Sequence, residues 1–217
     1  MVILGLTGSI AMGKTTAAEM FSRLGVPVYD ADRAVHRLLA RGGAAVGAVE
    51  VLFPGVTRGG AVDREALACR VFGDEEGLER LEAILHPLVA HEKVRFLRCA
   101  ARRGSRMVIL DIPLLFETDG QAECDAVAVV TAPTFVQEQR LLERSGMNRE
   151  RIAAVRGRQM PDVGKRRLAD FVIPTGLGRA VTMRAIKSVV EETRRWRGTK
   201  WPPKRGWRRI DATPRPR

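Results

Sequence analysis

The 217-residue chain contains no apolar run close to the ~20 residues that a membrane-spanning helix requires, so no such helix is expected. Cysteine is scarce. Cys69, Cys99 and Cys124 are odd in number and far apart, with neither zinc-site nor redox spacing. That excludes a disulfide scaffold and fits reduced thiols in a cytoplasmic protein. The opening MVILGL has no basic stretch before its apolar residues, so it reads as a strand rather than a secretion signal. No internal repeat is visible. With 45% hydrophobic and 29% charged residues, the composition is that of a globular domain, neither collagen-like nor disordered throughout.

Charge is unevenly placed. The net charge is +12, but residues 194–217 carry ten Lys/Arg and a single Asp. The body is therefore only mildly basic, and any inference from a high isoelectric point concerns the tail. Trp196, Trp201 and Trp207 lie among its arginines, a mixture suited to single-stranded nucleic acid or acidic lipid. The proline content instead suits a disordered extension over 198–217, which is the expectation adopted here.

Short apolar segments at 2–7, 26–29, 107–111, 125–131 and 169–174 read as buried strands separated by helical patterns. Alternating strands and helices predict a doubly wound α/β fold with a five-stranded parallel sheet, whose ligands sit at the carboxyl ends of the strands. Residues 44–103 read as an inserted helical block without strands, in which Asp63 caps one helix and Pro87 kinks another. The resulting partition is a core of 1–43, 104–133 and 169–197, a helical insert of 44–103, two charged helices over 134–160 with Asn148 as a helix cap, and the tail.

Residues 8–15, GSIAMGKT, fit G-x-x-x-x-G-K-[ST] between a strand and a helix. Gly8 and Gly13 let the backbone curl so that successive N–H groups converge on phosphate, and the helix N-terminus adds positive potential. Lys14 would reach the β/γ oxygens and Thr15 would ligate Mg²⁺. The motif alone means nucleotide binding. The absence of an N-K-x-D guanine-reading motif disfavours a GTPase, and the absence of an LSGGQ signature disfavours a transporter ATPase. The short chain and helical insert favour a small-molecule kinase.

Two carboxylates, Asp30 and Asp32, follow the second strand. Alternate residues of an extended segment share a face, so either could orient an acceptor hydroxyl, and either could cap the next helix. Asp111 ends the third strand after four apolar residues, as a Mg²⁺-associated acidic residue does; a capping role is the alternative. Glu117 lies six residues further on.

These segments together resemble the dephospho-CoA kinase family over nearly all of residues 1–195: GLTGSIAMGKTT (5–16), YDADR (29–33), ILHPLV (84–89), LDIPLLFE (110–117), QRLLER (139–144), RQMP (158–161) and ADFVI (169–173). The resemblance implies ATP-dependent phosphorylation of the ribose 3′-hydroxyl of dephospho-CoA by a monomer, with Mg²⁺ and with no membrane or obligatory nucleic-acid partner. It implies Asp32 as base or orienter of the hydroxyl. Gly8 and the run Ala11, Met12, Gly13, Lys14, Thr15 and Thr16 become ATP contacts. The resemblance further implies a helical lid over about 134–168, whose Arg140 and Arg144 face the transferred phosphoryl group, and it makes His86, Leu114 and Leu115 acceptor contacts. His86 read by itself could equally be a core histidine, and Arg140 and Arg144 a solvated face. Two departures from the family pattern stand out: Ala11 where glycine is frequent, and PTG after ADFVI where DNSG is frequent. A nucleoside or nucleotide monophosphate kinase shares the core and lid and is the alternative enzyme. A nucleic-acid-binding ATPase using the basic tail is the alternative of another class.

Overall fold

The computed structural model describes residues 1–143, 152, 157 and 159–202. Its elements alternate as expected. Strand β1 (Val2–Thr7) leads into α1 (Lys14–Arg23), which is followed by β2 (Val28–Asp30) and α2 (Ala31–Leu39). Next come α3 (Val46–Leu52), β3 (Thr57–Arg58), β4 (Ala61–Val62), α4 (Arg64–Val71) and α5 (Glu75–Arg102). The chain continues through β5 (Met107–Asp111), β6 (Ala126–Thr131), α6 (Thr134–Leu142), α7 (Asp162–Leu168), β7 (Phe171–Pro174) and α8 (Arg179–Thr193).

The main sheet is parallel, in the order β2-β5-β1-β6-β7. β1 and β5 are central and buried at every position, which explains their unbroken apolar runs. The register pairs Leu6 with Asp111. The residue that closes β5 therefore stands beside the root of the loop that follows β1. α1 and α8 seal this core, with Phe21 and Ile186 fully buried. Gly25, with φ 77°, ends α1 as its position predicts.

Among the described residues the chain divides into two compact units, one comprising Met1–Tyr29 and residues 100–202, the other Asp30–Cys99. The second unit thus begins at Asp30 rather than at 44. The reason is packing: Leu38 and Leu39 of α2 bury against Val49, Phe53 and Leu67. The insert is also not purely helical. β3 and β4 form a small antiparallel hairpin whose turn residues, Gly59 and Gly60, both have positive φ, as a two-residue hairpin turn demands. Asp63 caps α4 by accepting from the N–H groups of Glu65 and Ala66. α5 runs through Pro87 as a single helix.

Helix α7 falls in a stretch, 161–168, for which the sequence pattern predicts no helix. Seven residues with three consecutive basic side chains, Lys165, Arg166 and Arg167, show too little apolar periodicity to announce a helix. The tail also starts later than expected. Asp125 Oδ1 accepts from the Thr199 N–H (2.6 Å), the Thr199 hydroxyl (3.0 Å) and the Lys200 N–H (3.1 Å), so residues 198–202 belong to the fold. Residues 203–217, including Trp207, and the helix expected after Asn148 lie outside the described residues. Among the described residues no helix is long and apolar enough to cross a membrane.

Candidate active site

The loop over residues 8–13 leaves the carboxyl end of β1 and enters α1. Gly8 is required by proximity, since a Cβ there would stand 2.8 Å from the Val130 carbonyl oxygen on β6. Gly13 has φ 87° and forms the N-cap of α1 without a side-chain cap. The N–H groups of Lys14, Thr15 and Thr16 therefore find no acceptor among the described residues, and they face outward with the helix dipole behind them. This is the geometry that phosphate oxygens fill. Ala11 takes φ 61°, a left-handed conformation that favours glycine, which accounts for the frequent glycine of the family pattern at this position.

Lys14 Nζ donates to Asp111 Oδ1 at 2.7 Å. The Asp111 carboxylate is almost completely buried, with 4% of its side chain exposed, while Lys14 retains 17%. The two motif residues, one opening the helix after β1 and the other closing β5, are thus one ion pair. Asp111 is not a helix cap; it ends a buried strand. Thr15 is exposed in the first turn of α1.

The loop is strapped from two other elements, and sequence reasoning missed most of the strap. Thr175, in the PTG departure after β7, donates its hydroxyl toward Met12 O (2.6 Å) and Thr131 O (3.1 Å). Its own carbonyl accepts from Arg140 Nη2 at 2.7 Å, and Arg140 Nη1 lies 3.3 Å from Ala11 O. Gln137 Nε2 donates to Ile10 O, and Ile10 N–H donates to Gln159 Oε1. Arg140 is therefore no solvated surface residue; it braces the phosphate loop. Met12 is buried, its Sδ against the Ala132 N–H, so its contribution to any ligand is through the backbone. Replacing Thr175 by valine keeps the shape and orphans the Met12 carbonyl, at a cost of about 1–3 kcal/mol. We expect calorimetry to show ATP affinity weakened by roughly fivefold or more; wild-type affinity would mean that the strap is idle.

Asp30 and Asp32 separate cleanly. Asp30 caps α2, its Oδ1 accepting from the Arg33 N–H at 2.9 Å. Asp32 sits in the first turn, exposed, with no hydrogen-bond partner among the described residues. Capping thus falls to Asp30 and not to Asp32. His86 is exposed on α5, so it is not a core histidine. Leu114 is 37% exposed, whereas Leu115 is completely buried against Gly5 and Gly120. Only Leu114 of that pair offers surface to a ligand; Leu115 is core, because the position below β1 is closed. Arg144 lies outside the described residues.

Glu117 accepts from the Met160 N–H (2.8 Å) and from the fully buried Lys165 ammonium (2.9 Å). Burial pushes its carboxyl upward, but the Lys165 and Met160 donors outweigh that and hold it below the usual carboxylate range. The unfolded chain thus takes up a proton on Glu117 at a higher pH than the folded chain does. The stabilisation is complete above the ordinary carboxylate pKa of about 4.3 and is lost as pH falls through the lower folded value. Glu117→Gln should flatten the acid limb of stability against pH, read by urea denaturation between pH 6 and 3. An unchanged limb would place the acid sensitivity elsewhere.

A bare-amide cradle on a central parallel strand, its lysine paired to the acid of the neighbouring strand, defines the class: a phosphate-loop kinase. Residues 2–177 match the family model for dephospho-CoA kinase. The chain is 61% identical over 166 residues to the dephospho-CoA kinase of Paramagnetospirillum magneticum, covering 76% of this chain and 78% of that one. It is 53% identical over 201 residues to that of Rhodospirillum rubrum, covering 90% and 95%. A crystal structure from Thermus thermophilus superposes with a TM-score of 0.77 at 37% identity, over 88% of this chain and 97% of that one. Dephospho-CoA kinase from Campylobacter jejuni, at 23% identity and a TM-score of 0.61, over 88% and 96%, shares the fold. The chain belongs to the dephospho-CoA kinase family.

Proposed function

We propose that the chain transfers the γ-phosphoryl group of ATP to the ribose 3′-hydroxyl of dephospho-CoA, giving coenzyme A and ADP, the last step of coenzyme A synthesis. The observation that carries this beyond the family match is the division of labour at Asp30 and Asp32. One carboxylate is consumed by capping, and the next is exposed, has no hydrogen-bond partner among the described residues, and falls in the family motif.

In this reading the free N–H groups of Lys14, Thr15 and Thr16 bind the β- and γ-phosphate oxygens. Lys14 leaves Asp111 for the γ-phosphate, where its charge offsets what develops during transfer. Asp32 orients the 3′-hydroxyl and accepts its proton. With a loose transition state, that positioning matters more than basicity. Arg140 adds a guanidinium next to the loop, and with Arg144 it supplies positive charge on the lid side. His86 and Leu114 take parts of the acceptor. Mg²⁺ fits the donors present: the Thr15 hydroxyl and the Asp111 carboxylate are hard oxygens, and this cation usually takes one or two protein ligands with phosphates and water completing its shell. Thr15 and Asp111 would hold it, and it would neutralise charge on the phosphate oxygens.

The enzyme acts as a monomer, and the phosphate loop and its straps all lie on one chain. Its setting is the cytoplasm, where the unpaired, exposed thiols of Cys69 and Cys99 stay reduced. Nucleic acid is not an obligatory partner. Competition between dephospho-CoA, AMP, CMP and adenosine for label from [γ-³²P]ATP tests the acceptor. Dephospho-CoA should dominate kcat/KM; preference for a mononucleotide would favour the monophosphate-kinase alternative.

A further inference from the structure

Lys165 is the one lysine or arginine among the described residues with no exposed surface. Taking an ammonium out of water costs several kcal/mol, and apolar residues of similar volume usually serve stability as well as a buried ion pair does. Its neighbours suggest what else it does. Nζ lies 2.9 Å from Glu117 Oε1 and 3.5 Å from the Pro113 carbonyl oxygen. That carbonyl also accepts from the Thr7 hydroxyl, at 3.0 Å, in the residue before the phosphate loop. Glu117 in turn holds the Met160 N–H, and the adjacent Gln159 holds the Ile10 N–H of the loop itself. One ammonium thereby joins α7, the loop over 112–117 that follows Asp111, the root of the phosphate loop, and the chain returning from the lid. Glu117 Oε2 is buried and has no hydrogen-bond partner among the described residues, so the cluster is not arranged for stability alone.

We propose that Lys165, acting through Glu117 and Pro113, is a positioning residue for phosphoryl transfer. It holds the 112–117 loop and the chain returning from the lid in one register with the phosphate loop. The inference rests on reading 112–117 as acceptor-side and 134–168 as lid, within the activity proposed above. Lys165 touches no reacting atom. Its effect is on the alignment of acceptor against the γ-phosphate, while the nucleotide cradle keeps its separate strap through Thr175 and Arg140. A small misalignment of reacting groups is enough to cost a large factor in rate.

The test compares wild type, Lys165→Met and the double variant Lys165→Met/Glu117→Met. Each is assayed at a temperature well below its own unfolding midpoint, with ATP and dephospho-CoA. The single variant leaves Glu117 buried and without its cation, so its midpoint should fall. The double variant removes the charge problem and should regain most of the midpoint. Both should show kcat lowered about tenfold or more per folded molecule, with the Kd for ATP within about threefold of wild type. Recovery of kcat together with the midpoint in the double variant would overturn the proposal, since that is the behaviour of a merely structural pair. Loss of ATP affinity in step with kcat would overturn it too. If the single variant fails to fold, the double variant decides alone. Wild type inactive toward dephospho-CoA would contradict the functional reading instead, before either variant is compared.

Discussion

Lys14→Ala should abolish phosphoryl transfer, lowering kcat by at least the 10²–10³-fold typical of removing one preorganised charge-stabilising donor. Two independent losses follow from the geometry. The γ-phosphate loses its only lysine partner at the loop, and the bare amides of Lys14, Thr15 and Thr16 remain, so ATP still binds, more weakly. Asp111 simultaneously loses the ammonium 2.7 Å away while staying buried. That removes one charged partner from a buried carboxylate, so stability should drop by about 1–3 kcal/mol as well. Lys14→Ala/Asp111→Asn separates the two effects: its unfolding midpoint should recover and its activity should not. Near-normal turnover in Lys14→Ala, measured with labelled ATP, would remove the phosphate loop from the mechanism.

Asp32→Asn should lower kcat by about 10²–10⁴-fold and leave folding untouched. The side chain is exposed and makes no hydrogen bond among the described residues, so nothing structural is lost. The amide keeps the shape and can still meet the 3′-hydroxyl, so the KM for dephospho-CoA should change far less than kcat. Asp30→Ala gives the opposite signature. It removes a cap from α2, worth about 1 kcal/mol of stability, with a smaller kinetic effect. If Asp30→Ala proves the more damaging to kcat and Asp32→Asn the milder, the roles assigned to the two carboxylates are reversed.

The parallel sheet and the phosphate loop were legible because their signals are local. Unbroken apolar runs mark β1 and β5, and glycine spacing marks the loop between strand and helix. The pairing of Lys14 with Asp111 was half legible: both residues were singled out, but a separation of 97 positions conceals that they touch. The choice between Asp30 and Asp32 needed the cap geometry, which two acidic residues in one tetrapeptide do not distinguish. Thr175 was hidden because its hydroxyl acts through backbone carbonyls at Met12 and Thr131, and any small polar residue in a loop looks the same in sequence. Lys165 was hidden more deeply. It sits in a KRR run, which reads as a solvated face until tertiary packing closes over its first residue. Leu115 shows the converse error: a motif residue beside an exposed one faces the core.

The position at which the phosphoryl group lands defines the reaction. Incubation of the purified chain with ATP, Mg²⁺ and dephospho-CoA, followed by ³¹P NMR of the product, reads this directly. A new phosphomonoester on the ribose 3′-oxygen, formed one for one with ADP and missing with Asp32→Asn, is the expected result. Phosphate released to water alone, or carried at any other position, would contradict it.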